Sequence, residues 1–346
     1  MREPIQGDLI VHGGQGGTRV AVLGAGAWGT ALSLVLARGG AEVRLWTWQS
    51  EHAEELARQR ESSFLPGFTL PSAVSPTSDL EGAVEASDVV LVVVPSDAVR
   101  QTLAPLAGRI GERPVVVASK GIEQGSLMLM DEVVADVLGA GSRRATLSGP
   151  SFAAEVAREA PTNIVIAAQD EALARELQQL FAGPRFRVYT SDDPVGVEVG
   201  GALKNVVAIA AGACDGLGFG YNTRAALITR GLAELSRLAQ AKGGDPRTLA
   251  GLAGMGDLVL TCTGELSRNR TVGLELGRGR SLPEVLSSLG HVAEGVKTAQ
   301  STYDLARSLG VELPICFEVY RVLYEGKSPE QAVEDVLTRP LKRELD

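Results

Sequence analysis

Apolar positions fall into two regimes along this chain. From residue 19 to about 190, short β-branched runs alternate with stretches of helical period; from 195 onward only the helical period continues. The strand-like runs cover 19–23, 42–47, 89–94, 114–118, 145–147, 163–168 and 186–190. Residues 89–94 are apolar throughout, as in a strand covered on both faces. Between the runs, the spacing predicts helices over 30–38, 97–106, 125–138 and 170–181. Such alternation predicts an α/β fold, a Rossmann-like doubly wound parallel sheet.

After Asp192-Asp193-Pro194 the pattern predicts helices over 195–214, 223–241, 246–252, 268–278, 282–289, 294–309, 314–324 and 329–337. Gly216-Leu217-Gly218-Phe219-Gly220 and Gly254-Met255-Gly256 read as breaks in that series. The chain therefore divides into a loose N-terminal extension (1–17), a dinucleotide-binding domain (18–192) and an all-α domain (193–346).

The first strand-like run stops at Gly24-Ala25-Gly26-Ala27-Trp28-Gly29, a G-x-G-x-x-G between a strand and a helix. Gly24 permits the tight turn, Gly26 lets backbone approach a pyrophosphate, and Gly29 lets helix and strand pack closely. The helix N-terminus then faces the anion. No carboxylate ends the second strand at Trp48, where an NAD site places one for the ribose, which tilts the reading toward NADP, or toward tolerance of both forms. Arg58 and Arg60, read as part of the next helix, are the nearest arginines.

Within the apolar helix 195–214, Gly200-Gly201-Ala202-Leu203-Lys204-Asn205 places an ammonium where burial is costly without a partner. Lys204 is thus either an ion-pair anchor or a chemical group. Asp257 and Thr261, four apart, share one helix face if that segment is helical, and Asp257 is the natural partner for a lysine. Ser267-Arg268-Asn269-Arg270 opens a helix with donors that suit a phosphate. Ser96, Lys120 and the segment 148–151 follow strands and should rim the same cleft.

Composition narrows the partners. With 33 Lys and Arg against 42 Asp and Glu the net charge is -9, which argues against a nucleic-acid or anionic-membrane surface. The three cysteines are widely spaced and suggest neither a disulfide framework nor a metal site. No apolar run approaches the ~20 residues needed to span a bilayer, and residues 1–17 lack the form of a signal peptide. His12, His52 and His291 offer no convincing general base. A homodimer through the helical half is allowed, with no seam legible.

Taken together, Gly24 to Thr30, Val94-Pro95-Ser96, Ser119-Lys120-Gly121, Ser148-Gly149-Pro150-Ser151-Phe152-Ala153, Gly200 to Asn205, Gly256-Asp257-Leu258, Ser267-Arg268-Asn269 and Val292-Ala293-Glu294-Gly295 resemble the bacterial type of NAD(P)-dependent sn-glycerol-3-phosphate dehydrogenase. The resemblance runs in order from about Thr18 to the last helix. It implies interconversion of dihydroxyacetone phosphate and sn-glycerol 3-phosphate in the cytoplasm, supplying glycerophospholipid synthesis. A small phosphorylated triose would be the substrate. Lys204 would transfer the proton, helped by Lys120, Asp257 and Thr261. Lys120, Gly149, Ser151, Lys204, Asp257, Ser267, Arg268 and Asn269 would contact the substrate. Ala27, Trp28, Trp48, Lys120, Ala153, Arg268, Val292 and Glu294 would join Gly24, Gly26 and Gly29 around the cofactor.

Two rivals remain at this point. A hydroxyacid or hydroxyacyl dehydrogenase would share the architecture, the latter needing a histidine and an acid. A non-catalytic dinucleotide sensor would need the glycine loop without Lys204, Asp257 and Arg268 together.

Overall fold

A computed structural model describes residues 17–289, 293–341 and 343. Among the described residues ten strands form: β1 (Arg19–Leu23), β2 (Glu42–Trp46), β3 (Glu61–Ser62), β4 (Leu65–Thr69), β5 (Val74–Thr77), β6 (Val89–Val92), β7 (Val115–Val117), β8 (Arg144–Ser148), β9 (Thr162–Ala167) and β10 (Phe186–Ser191). Eight of them make one sheet in the order β10-β9-β8-β7-β6-β1-β2-β5, and β3 pairs with β4 in a separate hairpin. In register, Val20 of β1 lies between Val43 of β2 and Val89 of β6. The chain leaves β1 toward β2 and later returns on its other side at β6, so a ligand crevice opens beyond Leu23 and Val92.

The sheet is parallel except between β8 and β9, which run antiparallel with Leu147 opposite Ile166. Their connection holds only a five-residue helix, Ala153–Ala157. At about 1.5 Å per residue such a helix is too short to carry the chain back along a strand, so β9 starts from the end where β8 stopped. The edge strand β5 and the β3–β4 hairpin escape the apolar pattern. Pro76 within β5 is tolerated because β5 pairs on one side only.

Three expected helices are shorter or broken, one of them 246–252, which is a 3-10 helix over Pro246–Ala250 with Leu252 already in the π-turn. The stretch 97–106 divides into a 3-10 turn Ser96–Ala98, a helix Val99–Leu103 and a second 3-10 turn Ala104–Leu106 containing Pro105. The expected helix 125–138 begins only at Met130, after Leu127 adopts a left-handed φ of 59°. Conversely, Gly254-Met255-Gly256 does not interrupt the helices. Leu252–Gly256 is a π-helical turn running straight into the helix Asp257–Thr263.

The helical domain is built around Pro194–Gly216. Proline at its start and the Asp193 side chain, which accepts from Gly196 N–H at 2.9 Å, open that helix. Its apolar residues are distributed all round, so it is buried rather than amphipathic. Among the described residues it alone is long and apolar enough to cross a membrane, yet 89% of that window is buried inside the protein. The helix Arg268–Gly277 crosses it at very short range. A Cβ on Gly273 would lie 1.8 Å from Ile209 O, and one on Gly212 would lie 1.9 Å from Arg270 O.

Candidate active site

Lys204 reaches the crevice because small residues seat its helix against both neighbours. A Cβ on Gly200 would lie 2.5 Å from Ala253 O in the π-turn, and one on Gly201 would lie 2.9 Å from Ser148 Oγ at the end of β8. Lys204, 8% exposed as a residue, donates from its ammonium to Oδ1 of Asp257 at 2.5 Å. Lys120, three residues past the end of β7, donates to the other oxygen of Asp257 at 2.7 Å and to Gly149 O at 3.3 Å. One carboxylate therefore serves two ammonium groups.

Thr261 donates its hydroxyl to Asp257 O at 2.6 Å and stands 3.4 Å from Oδ1, one turn along the helix that the π-turn leads into. Burial pulls the Lys204 ammonium down to about 8; the Asp257 charge opposes this and the Lys120 charge adds to it. For Asp257, burial alone would raise the carboxyl, but the charges of Lys120 and Lys204 outweigh it and hold the carboxyl below its ordinary range. Gly149, at φ +137°, presents its carbonyl to Lys120 and to the Ser151 hydroxyl at 3.0 Å.

Ser267 caps the helix Arg268–Gly277, its oxygen accepting from Arg270 N–H at 3.2 Å. The Asn269 carbonyl accepts from Gly295 N–H at 3.0 Å, which leaves its amide N–H groups for other use. The two arginines of this cluster differ. Arg270 is committed to Asp215 at 2.7 Å, and Arg224 takes the other Asp215 oxygen at 2.5 Å. No described residue forms an ion pair or hydrogen bond with the exposed Arg268 guanidinium. Glu294 is half-buried, and burial raises its carboxyl despite the opposing charges of Arg268, Lys120 and Lys204.

The glycine loop has the form a dinucleotide needs. Gly24 has φ +123°, and a Cβ there would lie 2.8 Å from the Val93 carbonyl. A Cβ on Gly29 would lie 1.8 Å from Gly24 O, so helix and turn touch. Beside Gly26 there is open space, and the helix Ala27–Arg38 starts with neither a side-chain cap nor an acidic residue in its first turn. Its N–H groups are left for an anion. Trp28 has a buried indole N–H with no acceptor among the described residues, while Trp48 is 76% exposed. Ala153 opens the short helix packed against Ala27–Arg38.

Comparison with known proteins then decides the family. The model for the NAD-dependent glycerol-3-phosphate dehydrogenase N-terminus matches residues 19–174, and that for the C-terminus matches residues 193–334. The chain belongs to the NAD(P)-dependent glycerol-3-phosphate dehydrogenases. It is 56% identical over 330 residues to glycerol-3-phosphate dehydrogenase [NAD(P)+] of Geobacter sulfurreducens, covering 94% of this chain and 98% of that one. The Myxococcus xanthus protein of the same name is 51% identical over 331 residues, 94% of this chain and 99% of its own. A crystal structure of glycerol-3-phosphate dehydrogenase from Coxiella burnetii superposes with a TM-score of 0.90 at 43% identity, covering 93% of this chain and 99% of that one.

As a glycerol-3-phosphate dehydrogenase the chain is an oxidoreductase acting on a CH–OH group with NAD or NADP. Of the expected site residues, Val292 lies outside the described residues, as do His12, His291 and residues 1–16 of the extension. Arg60 is not available for a cofactor phosphate: it lies past its helix at φ 53° and donates to the carbonyls of Leu70, Pro71 and Val74. Reasoning from sequence missed Asp215 and Arg224 altogether. Their signal, opposite charges nine residues apart across a glycine break, pairs only once the helices fold.

Proposed function

We propose that Lys204 is the proton-transferring residue in the interconversion of dihydroxyacetone phosphate and sn-glycerol 3-phosphate. The observation that carries this reading is the buried Lys204–Asp257–Lys120 cluster at the strand ends beside the glycine loop. When bound, the nicotinamide supplies or accepts the hydride at C2 of the substrate. In reduction the C2 carbonyl oxygen gains its proton from the Lys204 ammonium, which is left as a neutral amine for solvent to reprotonate. Oxidation runs the same transfer backward.

Lys120 adds a second positive charge beside the oxygen on which negative charge develops. Asp257 holds both ammonium groups in place, and Thr261 steadies Asp257. Arg268, Asn269 and Ser267 would receive the substrate phosphate at a helix start, with Gly149 and Ser151 lining the carbonyl side. Gly24, Gly26, Ala27, Trp28, Gly29, Trp48, Ala153 and Glu294 would hold the dinucleotide. The absence of a carboxylate at Thr47, Trp48 and Gln49 supports NADPH as the preferred form. The reaction would supply glycerophospholipid synthesis in the cytoplasm.

The reading is tested with Lys204→Ala in an assay of dihydroxyacetone phosphate and NADPH. Turnover should fall about 10³-fold, in the range of general acid catalysis, while NADPH affinity stays within about twofold. Wild-type turnover in that variant would remove the lysine from the mechanism.

A further inference from the structure

Glu198 stands on the same helix as Lys204, six residues earlier and therefore about 9 Å along the axis. It is 6% exposed and has no cationic partner among the described residues. Instead it receives Asp131 N–H on both carboxyl oxygens, at 3.0 and 3.1 Å, and the Thr146 hydroxyl on Oε1 at 2.9 Å. Asp131 lies in the first turn of Met130–Leu138, and Thr146 lies in β8.

Thr146 pairs in register with Val117 of β7. Three residues beyond Val117 comes Lys120, and three beyond Thr146 comes Gly149. Glu198 thus grips the place from which both the second lysine and the carbonyl it touches are launched. We propose that Glu198 is a positioning residue for the reaction: it pins the Lys204 helix to β8 and to Met130–Leu138, and so sets where the Lys204 ammonium sits against Lys120 and Gly149. This inference rests on the role given above to Lys204.

The chemistry of Glu198 suits a latch that works by hydrogen bonding. Burial, helped by the Asp131 charge, pushes its carboxyl up to about 8 although the Asp131 N–H and Thr146 bonds oppose it. At neutral pH it therefore carries its proton, as a glutamine carries its amide hydrogens. A glutamine keeps a side-chain carbonyl oxygen that can accept from both Asp131 N–H and the Thr146 hydroxyl, as Glu198 does. A misplacement of about 1 Å at a reacting group can cost up to about 10²-fold in rate, so the latch need move the helix only slightly to matter.

The experiment compares Glu198→Ala, Glu198→Gln and Thr146→Val in the full chain by steady-state kinetics, NADPH fluorescence titration and Tm. Glu198→Ala should lower kcat at least tenfold with NADPH affinity within twofold of wild type, and Glu198→Gln should restore kcat to within twofold. Thr146→Val, which removes one hydroxyl at constant shape, should lower kcat at least threefold at a temperature where it is fully folded. If Glu198→Ala does not fold, Thr146→Val decides: unchanged kcat in that folded variant overturns the inference. Full kcat in folded Glu198→Ala overturns it as well. A Lys204→Ala enzyme with normal turnover would be a separate result, striking at the role of Lys204 and not at the latch.

Discussion

Lys204 donates to Asp257 at 2.5 Å, and both side chains are buried. The opposite Asp257 oxygen holds Lys120, and among the described residues Asp257 is the one acid that forms an ion pair with either ammonium. Asp257→Asn keeps the shape and removes that charge. It should cost about 3–5 kcal/mol of stability, as expected when one member of a buried ion pair is lost. Denaturant titration at pH 7 measures the loss. A variant as stable as wild type would mean that the lysines are neutralised in another way.

That pair is legible in the sequence alone, because an ammonium in an apolar helix demands a carboxylate and Asp257 sits in similarly apolar surroundings. The glycine loop was equally legible, since each glycine answers a separate steric need. Other features were hidden for physical reasons. Gly254-Met255-Gly256 reads as a break by propensity, yet a Cβ on Gly254 would lie 2.1 Å from Leu249 O, so the glycine is there to let backbones meet. The reversal of β9 depends on a connection whose direction no strand pattern records. Glu198 looks like one polar residue on an apolar helix until Thr146 and Asp131 come to it from distant segments.

Lys204 and Glu198 should give stability a pH dependence of opposite sign in adjoining windows. Glu198, raised to about 8, holds its proton more tightly folded than unfolded, so its contribution is full below the unfolded carboxyl range and fades as pH climbs toward 8. Lys204, lowered to about 8, binds its proton more weakly folded than unfolded. Between about 8 and the unfolded lysine range, stability should rise with pH. Above about pH 9 the buried thiols of Cys214, Cys262 and Cys316, all raised by burial, oppose that rise, so unfolding free energies measured from pH 5 to 9 should pass through a minimum near 8. Glu198→Gln should make the falling side shallower, with the raised carboxyls of Glu234 and Glu294 supplying the rest, and Lys204→Met should remove the rise; a variant with an unchanged profile would refute the assignment for its residue.

The same Lys204 proton should give the two reaction directions opposite alkaline limbs. Reduction uses the ammonium and should lose kcat/KM above about pH 8, whereas oxidation uses the neutral amine and should gain up to that value. Profiles in both directions check this. Parallel limbs would assign the titration to substrate or cofactor binding instead.

Gly273 tests whether close helix packing places the phosphate end of the site. Its Cβ would stand 1.8 Å from Ile209 O, on the helix that carries Lys204. Gly273→Ala should push the helices apart and destabilise the fold by about 1–3 kcal/mol, the usual range for overpacking. In the folded fraction KM for dihydroxyacetone phosphate should rise, because the start of Arg268–Gly277 moves relative to Lys204. An unchanged KM with a lowered Tm would confine the glycine to stability.

Arg268 and Arg270 sit two positions apart on one helix start, yet only Arg268 is free to meet a ligand. Arg270 is held by Asp215, which Arg224 also holds, so its charge is already matched within the fold. If Arg268 grips the substrate phosphate, Arg268→Ala forfeits a charge-assisted contact of about 1.5–3 kcal/mol, or roughly 10- to 10²-fold in kcat/KM. The loss should fall on dihydroxyacetone phosphate and spare unphosphorylated dihydroxyacetone, so the preference for the phosphorylated ketone should collapse by that factor. Arg270→Ala should instead lower Tm through the orphaned share of Asp215 while leaving most of that preference intact. A preference that survives Arg268→Ala and vanishes with Arg270→Ala would mean that the Asp215 pair opens when substrate binds and that the anchoring arginine has been assigned to the wrong position.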